Sequence, residues 1–316
     1  MATLEALELV IDRSSGGGKV SREFMKKKLR KAFKQGRLRD IAEVNDPEWK
    51  FRLCCANLLL GDYSWEGWEF RDPWATMLWY NPNAVGKRWN GEAGRVLILG
   101  EQGLGDEVMF ASCIKDLQKT NEVGITCIPR LQSVFQRSFD CETYDRHEGK
   151  ELSRARELIK RYDYFIALGD LPRYFRKSSK DFTGEPFLKP LGKGKYTGIG
   201  ISWRGRNGYY PLKDFPKGIS LQYDMNWDEE VETPDIDVRN DIEGLLTLIN
   251  GLDKVVCVST TVAHLSGAIG KETDVILAPV ETARSGQQIN WRWGSRWYKS
   301  VNVFQSMKQW RSEVGV

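Results

Sequence analysis

Histidine is scarce in this sequence. Of 316 residues only His147 and His264 carry an imidazole, which excludes a metal centre built on several histidines. Six cysteines are present, but Cys54 and Cys55 are adjacent and no spacing among the six suits a metal ligand set. Several lie in apolar runs, where cysteine packs as a small hydrophobe. No apolar stretch is long enough to cross a bilayer, and residues 1–18 lack the apolar core of a secretory signal. The cytoplasm is therefore the expected compartment. A strong charge bias is also missing: the net charge of +4 permits an anionic ligand or polymer without demanding one.

What is there suits a two-domain α/β protein. The apolar fraction of 41% and charged fraction of 28% are ordinary for a packed chain, and the length exceeds one typical domain. After a start ending in Ser14-Ser15-Gly16-Gly17-Gly18, Lys19–Gln35 is predicted as a basic helix with Phe24, Leu29 and Phe33 on one side. A second helix is predicted over Pro47–Leu60, stopped by Gly61. From Arg95 the character changes. Val96–Leu99 is a continuous apolar run, as expected for a strand buried on both faces, with a helix predicted over Val108–Gln118. Strand Val123–Ile128, helix Leu131–Phe139, a charged helix Lys150–Lys160 and strand Tyr164–Leu168 continue the alternation. Gly184–Lys195 has the composition of a linker. A second alternation follows: strands Tyr196–Trp203 and Ile219–Tyr223, helix Asp241–Gly251, strand Lys254–Ser259, helix Val262–Gly270 and strand Asp274–Ala278. The domain reading is a helical extension over 1–90, a first Rossmann-like half over 91–190, a second over 191–305, and a tail helix from 306 packing back on the first half.

Three constellations could carry chemistry. The first is Glu101-Gln102-Gly103-Leu104-Gly105-Asp106 after the strand Val96–Leu99. Gly103 and Gly105 allow close backbone approach to a ligand, and the following helix offers free N–H groups to an anion or hydroxyl. Asp106 at that helix start could take a proton from a nucleophilic hydroxyl, or could simply cap the helix. The turn is neither a dinucleotide fingerprint, which needs a third glycine, nor a P-loop, since no Lys-Ser/Thr follows. The second is Ser259-Thr260-Thr261 leading to His264, which could cradle a diphosphate at a helix start or form a hydroxyl cap beside a packed histidine. The third is Asn290–Tyr298, where Trp291, Arg292, Trp293, Arg296 and Trp297 interleave. It suits base stacking and phosphate pairing, an aromatic clasp, or a nucleic-acid surface. Weaker signals are Arg204 and Arg206 after Trp203, with Lys213, as contacts to an anion. Asp235-Ile236-Asp237 has metal-ligand spacing but sits in an acidic loop.

Taken in order, several pieces resemble the family-nine, heptosyltransferase-like glycosyltransferases, especially the branch fused to tetratricopeptide repeats. They are Leu58–Tyr63 with Gly67-Trp68-Glu69 and Arg71, Trp89–Glu92, Glu101–Asp106, Ile201-Ser202-Trp203, Ser220-Leu221-Gln222, Thr260–Gly270, Trp291–Gly294, Ser295–Tyr298 and Phe304-Gln305. The resemblance implies a GT-B fold, two facing Rossmann-like domains with nucleotide sugar held by the second and acceptor by the first. It implies a metal-independent, inverting transfer needing no cofactor beyond the nucleoside-diphosphate sugar, with Asp106 as base. The implied donor side comprises Trp203, Arg204, Lys213, Gln222, Ser259, Thr260, Thr261 and His264. The acceptor side or its loop comprises Glu101, Gln102, Gly103, Gly105 and Arg292. The acceptor could be a glycan, a protein, or a hydroxylated DNA base, the last drawing on the basic helix Lys19–Gln35.

This chain departs from the family at Ser259, where an Asp is usual; that puts heptose in doubt. The repeats are reduced to one predicted helical pair. The competing class is a non-catalytic GT-B module that binds a sugar nucleotide or nucleic acid.

Overall fold

The computed structural model describes residues 47–59, 61–71, 87–146, 157–206, 208–223, 231–279, 282 and 290–315. The helix expected over Lys19–Gln35, His147, Trp74, Trp79 and most of the helix expected over Lys150–Lys160 lie outside the described residues. Among the described residues no helix is long and apolar enough to cross a membrane.

Helix α1 (Pro47–Leu59) stands before two parallel sheets. The first sheet holds β1 (Lys87–Arg88), β2 (Gly94–Leu99), β3 (Asn121–Cys127), β4 (Glu142–Asp145) and β5 (Tyr164–Ala167), in the order β1-β5-β2-β3-β4. Helices α2 (Leu104–Ala111) and α3 (Ile114–Leu117) join β2 to β3, and α4 (Gln132–Phe139) leads to β4. A short helix, α5 (Pro172–Phe175), follows β5.

Residues 182–198 contain no helix or strand and connect to the second sheet. It holds β6 (Ile199–Ser202), β9 (Ile219–Ser220), β10 (Lys254–Val258), β11 (Thr273–Ile276) and β12 (Val301–Phe304), in the order β12-β11-β10-β6-β9, all parallel. The small hairpin β7 (Arg204–Gly205) with β8 (Gly208–Tyr209) branches from the end of β6. Helix α6 (Ile242–Gly251), capped by the Asp241 side chain, precedes β10; α7 (Thr261–Ala268) follows it. Helix α8 (Met307–Val314), capped by Ser306, closes the chain. These are the two Rossmann-like halves expected from the sequence.

The apolar runs have a direct cause in packing. Val96 and Ile98 point into a cluster that continues across both halves of the molecule, while Leu97 and Leu99 join Ile159, Tyr162 and Phe165 on the opposite face. In β10, Val255 and Cys257 face that same central cluster, and Val256 and Val258 face a second one with Trp203 and Trp310. Every position is buried, so alternation with polar residues is impossible. Each such aliphatic side chain contributes about 1.5–3 kcal/mol relative to exposure.

Two expectations need correction. The predicted helix Val108–Gln118 begins earlier, at Leu104, and breaks after Ala111, so that Asp106 sits inside the first turn with Gly103 as the N-cap. Among the described residues the tail helix packs on the second half, not on the first as expected. Its Met307 and Trp310 bury against the second sheet, the Trp310 indole donates to Asp274 at 2.7 Å, and Arg311 pairs with Asp214. Sequence placed the apolar residues correctly but not the surface they meet.

Candidate functional site

In the second sheet the chain leaves the neighbouring strands β6 and β10 in opposite directions, and in the first sheet β5, the last strand in sequence, inserts beside β2; in each, a crevice opens at the carboxyl ends of the two neighbouring strands. In the first sheet these strands are β2 and β5, followed by Glu101 and Gly169; in the second they are β6 and β10, followed by Trp203 and Ser259. The two crevices meet at a cavity of about 470 Å³ whose wall takes residues from both halves, among them Asp106, Thr261, Arg206 and Arg292. The halves touch there. A Cβ on Gly105 would lie 3.0 Å from His264 Cδ2 and 3.5 Å from Thr261 Oγ1, so glycine permits α2 and α7 to abut. Neither Gly103 nor Gly105 needs a positive φ; close approach is what the turn requires.

Asp106 is held by Arg292 in a bidentate pair, Nε to Oδ1 at 2.5 Å and Nη2 to Oδ2 at 2.8 Å. Burial by itself would raise its carboxyl. Arg292 first, then His264 and Arg71, outweigh burial and hold it below the usual carboxylate range. The next residue behaves oppositely. Glu107 is wholly buried and accepts from the Ile128 N–H at 3.2 Å, with Arg146 3.8 Å away. Burial pushes its carboxyl up to about 8.

Across the cavity, α7 starts at Thr261, with its first N–H groups free of intrahelical partners. The Ser259 hydroxyl accepts from the Trp293 indole at 2.8 Å. The Thr260 hydroxyl is buried, the residue only 9% exposed, and it makes no hydrogen bond of regular geometry, the Cys257 thiol being its polar neighbour. His264 is buried, lies 3.0 Å from the Tyr298 hydroxyl through Nδ1, and stacks on Trp293 at 4.9 Å. Burial, reinforced by Arg292 and opposed by Asp106, lowers its pKa to about 4, so it is neutral at neutral pH.

The other expected site residues fall into two groups. Glu101, Gln102, Gly103, Gly105 and Arg292 border the cavity with Asp106, as do Ser259, Thr260, Thr261 and His264. Glu101 is already engaged: it accepts from Arg71 and from the Gly169 N–H, each at 2.8 Å. Four donor-side residues do not border it. Trp203 is buried in the cluster behind the sheet, and Lys213 is exposed on the turn Leu212–Asp214. Gln222 is buried and braces the end of β6: its Oε1 accepts from the Ser202 hydroxyl and the Arg204 N–H, and its Nε2 donates to the Arg204 carbonyl. The Arg204 guanidinium lies over Tyr209. Asp235 and Asp237 also stand apart, Asp235 bonded to Lys195 and Tyr196 and Asp237 to Asn240. Among the described residues no cluster of three or more His, Cys, Asp or Glu could hold a metal ion.

The structure adds residues that sequence reasoning left without a role. Arg71 enters the cavity from the helical extension and lies over Trp68 and Phe110. That extension is fastened to the first half by the Trp65 and Trp68 indoles, which donate to the Arg176 and Gly169 carbonyls at 2.6 Å each. Asn290–Gly294 is a short turn that crosses the cavity as an aromatic clasp. Trp291 packs on Trp68 and Phe110, Arg292 on Asp106, and Trp293 on His264, while Gly294 lies tight against Leu59. Arg71 already stood in the matching motif set; Glu107 had no signal, because a charged residue at a helix start reads as exposed.

Comparison with known proteins gives the following. No family model matches the chain. It is 26% identical to Protein FlbA of Caulobacter vibrioides, over 76% of this chain and 49% of that protein. The chain thus spans about half the length of the curated relative it matches. Among solved structures, it is similar to a glycosyl transferase family 9 protein from Veillonella parvula, with a TM-score of 0.49 and 11% identity, covering 72% of this chain and 93% of that one. It is also similar to the E. coli ADP-heptose lps heptosyltransferase II, with a TM-score of 0.47 and 10% identity, covering 70% and 97%.

Proposed function

We propose that this chain is a glycosyltransferase that moves a sugar from a nucleoside-diphosphate sugar to an acceptor hydroxyl with inversion. The observation that carries the reading is the opposition, across one cavity, of a carboxylate on α2 and an anion-suited helix start on α7. The ordered motif set in the sequence supports it.

In this reading the diphosphate lies at Ser259–Thr261, where the N–H groups at the start of α7 meet its oxygens. The acceptor hydroxyl approaches from the α2 side. Its oxygen attacks the anomeric carbon, its proton passes to Asp106, and the bond from that carbon to the diphosphate breaks. Charge building on the leaving diphosphate is met by the helix start and by arginines of the cavity wall, so the step needs no metal. His264, being neutral, contributes a hydrogen bond and a stacking surface rather than charge. The acceptor is a hydroxyl of a glycan or protein. The DNA option drew on Lys19–Gln35, which lies outside the described residues, and on the aromatic-basic segment Asn290–Tyr298, whose Trp291, Arg292 and Trp293 pack on Phe110, Asp106 and His264.

Asp106→Asn is expected to lower turnover by about 10²–10⁴-fold, the usual weight of general-base catalysis, without weakening nucleoside-diphosphate binding. Unchanged turnover would sink the mechanism. One observation favours the second reading, a module that binds without transfer: Asp106 and Ser259 are both already occupied by protein partners. Wild-type protein that binds nucleotide sugars yet releases no nucleoside diphosphate across glycan and protein acceptors would establish it.

A further inference from the structure

We propose that Arg292 is shared between the two sides of the cavity: it clamps Asp106 in the structure seen here and transfers to the diphosphate when the donor binds, so that donor binding frees the base. The proposal rests on the transfer reading above.

The first support is position. Asp106 is one residue beyond Gly105, and Gly105 lies against Thr261, the first residue of α7. An anion on the α7 N–H groups is therefore within reach of the same arginine that now holds Asp106. Trp293, the next residue in the chain, already hydrogen-bonds Ser259 of the donor turn.

The second support is that the exchange requires no backbone movement. Trp291 is anchored against Trp68 and Phe110, at ring distances of 5.3 and 6.1 Å, and Trp293 is anchored on His264 and Ser259. Between these fixed points only the Arg292 side chain has to turn, over a cavity it already lines.

The third support is a difference between two arginine–carboxylate pairs in the same wall. The Arg71–Glu101 side chains are 9% and 7% exposed, and Glu101 is held in addition by Gly169. The Arg292–Asp106 side chains are 25% and 28% exposed. The solvated pair gives up less on parting, because water can cover both partners while they exchange. A diphosphate offers more negative charge and further acceptor oxygens to a guanidinium than one carboxylate does.

The consequence for chemistry follows from the groups that face Asp106, namely Arg292, His264, Arg71 and Tyr298. His264 is neutral and Arg71 is held by Glu101, so Arg292 is the partner whose departure changes the carboxylate most. With it gone, the carboxyl loses the partner that chiefly holds it low and becomes a better proton acceptor. The base is thus activated only after the leaving group is in place.

Titration of the full chain with ADP, UDP, GDP and inorganic pyrophosphate tests this, on wild type, Asp106→Asn, Arg292→Gln and Arg292→Lys. Removing the carboxylate abolishes the competition for the guanidinium, so Asp106→Asn is expected to bind the wild type's preferred diphosphate about 3–10-fold more tightly. Arg292→Gln is expected to bind it at least about 10-fold more weakly, the loss of one charge-assisted contact, with Arg292→Lys between the two. Pyrophosphate should show the same order, since the base and ribose play no part. Equal affinity in wild type, Asp106→Asn and Arg292→Gln overturns the exchange while leaving the transfer reading intact. Should Arg292→Gln not fold, Asp106→Asn alone decides: tighter binding supports the exchange, and unchanged or weaker binding overturns it. A wild type that binds no nucleoside diphosphate overturns the transfer reading itself, and the exchange with it.

Discussion

The two turns that meet at the cavity are built alike and finished differently. Each follows a central parallel strand, β2 or β10, and opens an eight-residue helix, α2 or α7. The first is saturated with protein partners: Glu101 is taken by Arg71 and Gly169, Asp106 by Arg292, and the Gln102 carbonyl by Arg146. The second has neutral hydroxyls, one of them buried without a regular partner. In the proposed reading the same backbone device serves once as a carboxylate held in readiness and once as an anion seat. Shape alone does not say which; the side chains delivered by distant segments do.

Breaking the first turn should cost the most. Arg71→Ala leaves the buried Glu101 carboxylate with only its Gly169 N–H, and losing one partner of a buried pair costs about 3–5 kcal/mol. Chemical denaturation should show that loss; a change below about 1 kcal/mol would mean that the first turn is not held by its ions.

The acid–base behaviour of the turns should be visible in stability against pH. Glu107 has its folded pKa raised, from 4.5 to about 8, so its contribution is complete below pH 4.5 and is lost as pH rises through 8. His264 has its folded pKa lowered, from 6.5 to about 4, so the unfolded chain takes up the extra proton and stability falls as pH drops from 6.5 toward 4. Between pH 4.5 and 6.5 the two slopes oppose and largely cancel. Above 6.5 Glu107 acts alone, and stability should fall by about 1.4 kcal/mol per pH unit until near pH 8. Glu107→Gln should flatten that alkaline limb; persistence of the limb would place its origin elsewhere.

The smallest effect sharpens the second turn. Thr260→Val replaces a buried hydroxyl that makes no hydrogen bond of regular geometry with a methyl of similar shape, and stability should hold or rise by up to about 1 kcal/mol. A lower melting temperature would show that the hydroxyl has a partner in the folded protein and that the contrast between the turns is overstated.

Legibility in the sequence followed burial. Val96–Leu99 and Val255–Val258 announce themselves because central parallel strands are covered on both faces. The edge strands Lys87–Arg88, Glu142–Asp145 and Val301–Phe304 were not seen, since the first two are short and charged and the third is half-exposed, so none carries a continuous buried run. The hairpin at Arg204–Tyr209 was missed for the same reason of shortness and charge. Within the site, Asp106 and Thr260 were picked out by local context, a glycine-rich or hydroxyl-rich turn after a strand. Gln222 and Trp203 were placed on the ligand side, although each is buried as a brace or core residue. A motif position says that a residue matters there, and packing says how.

What the sequence by itself determined is therefore local: two apolar-strand series, two turns at their ends, and a carboxylate in one of them. These depend on neighbours a few residues away, through periodicity and helix-start chemistry. What only the tertiary structure decided is pairing. Arg292 meets Asp106 from 186 residues along the chain, and Arg71 meets Glu101 from 30. No local pattern encodes such meetings, because they are set by how the sheets and the aromatic clasp pack, and that packing determines the state in which the Asp106 carboxylate is held.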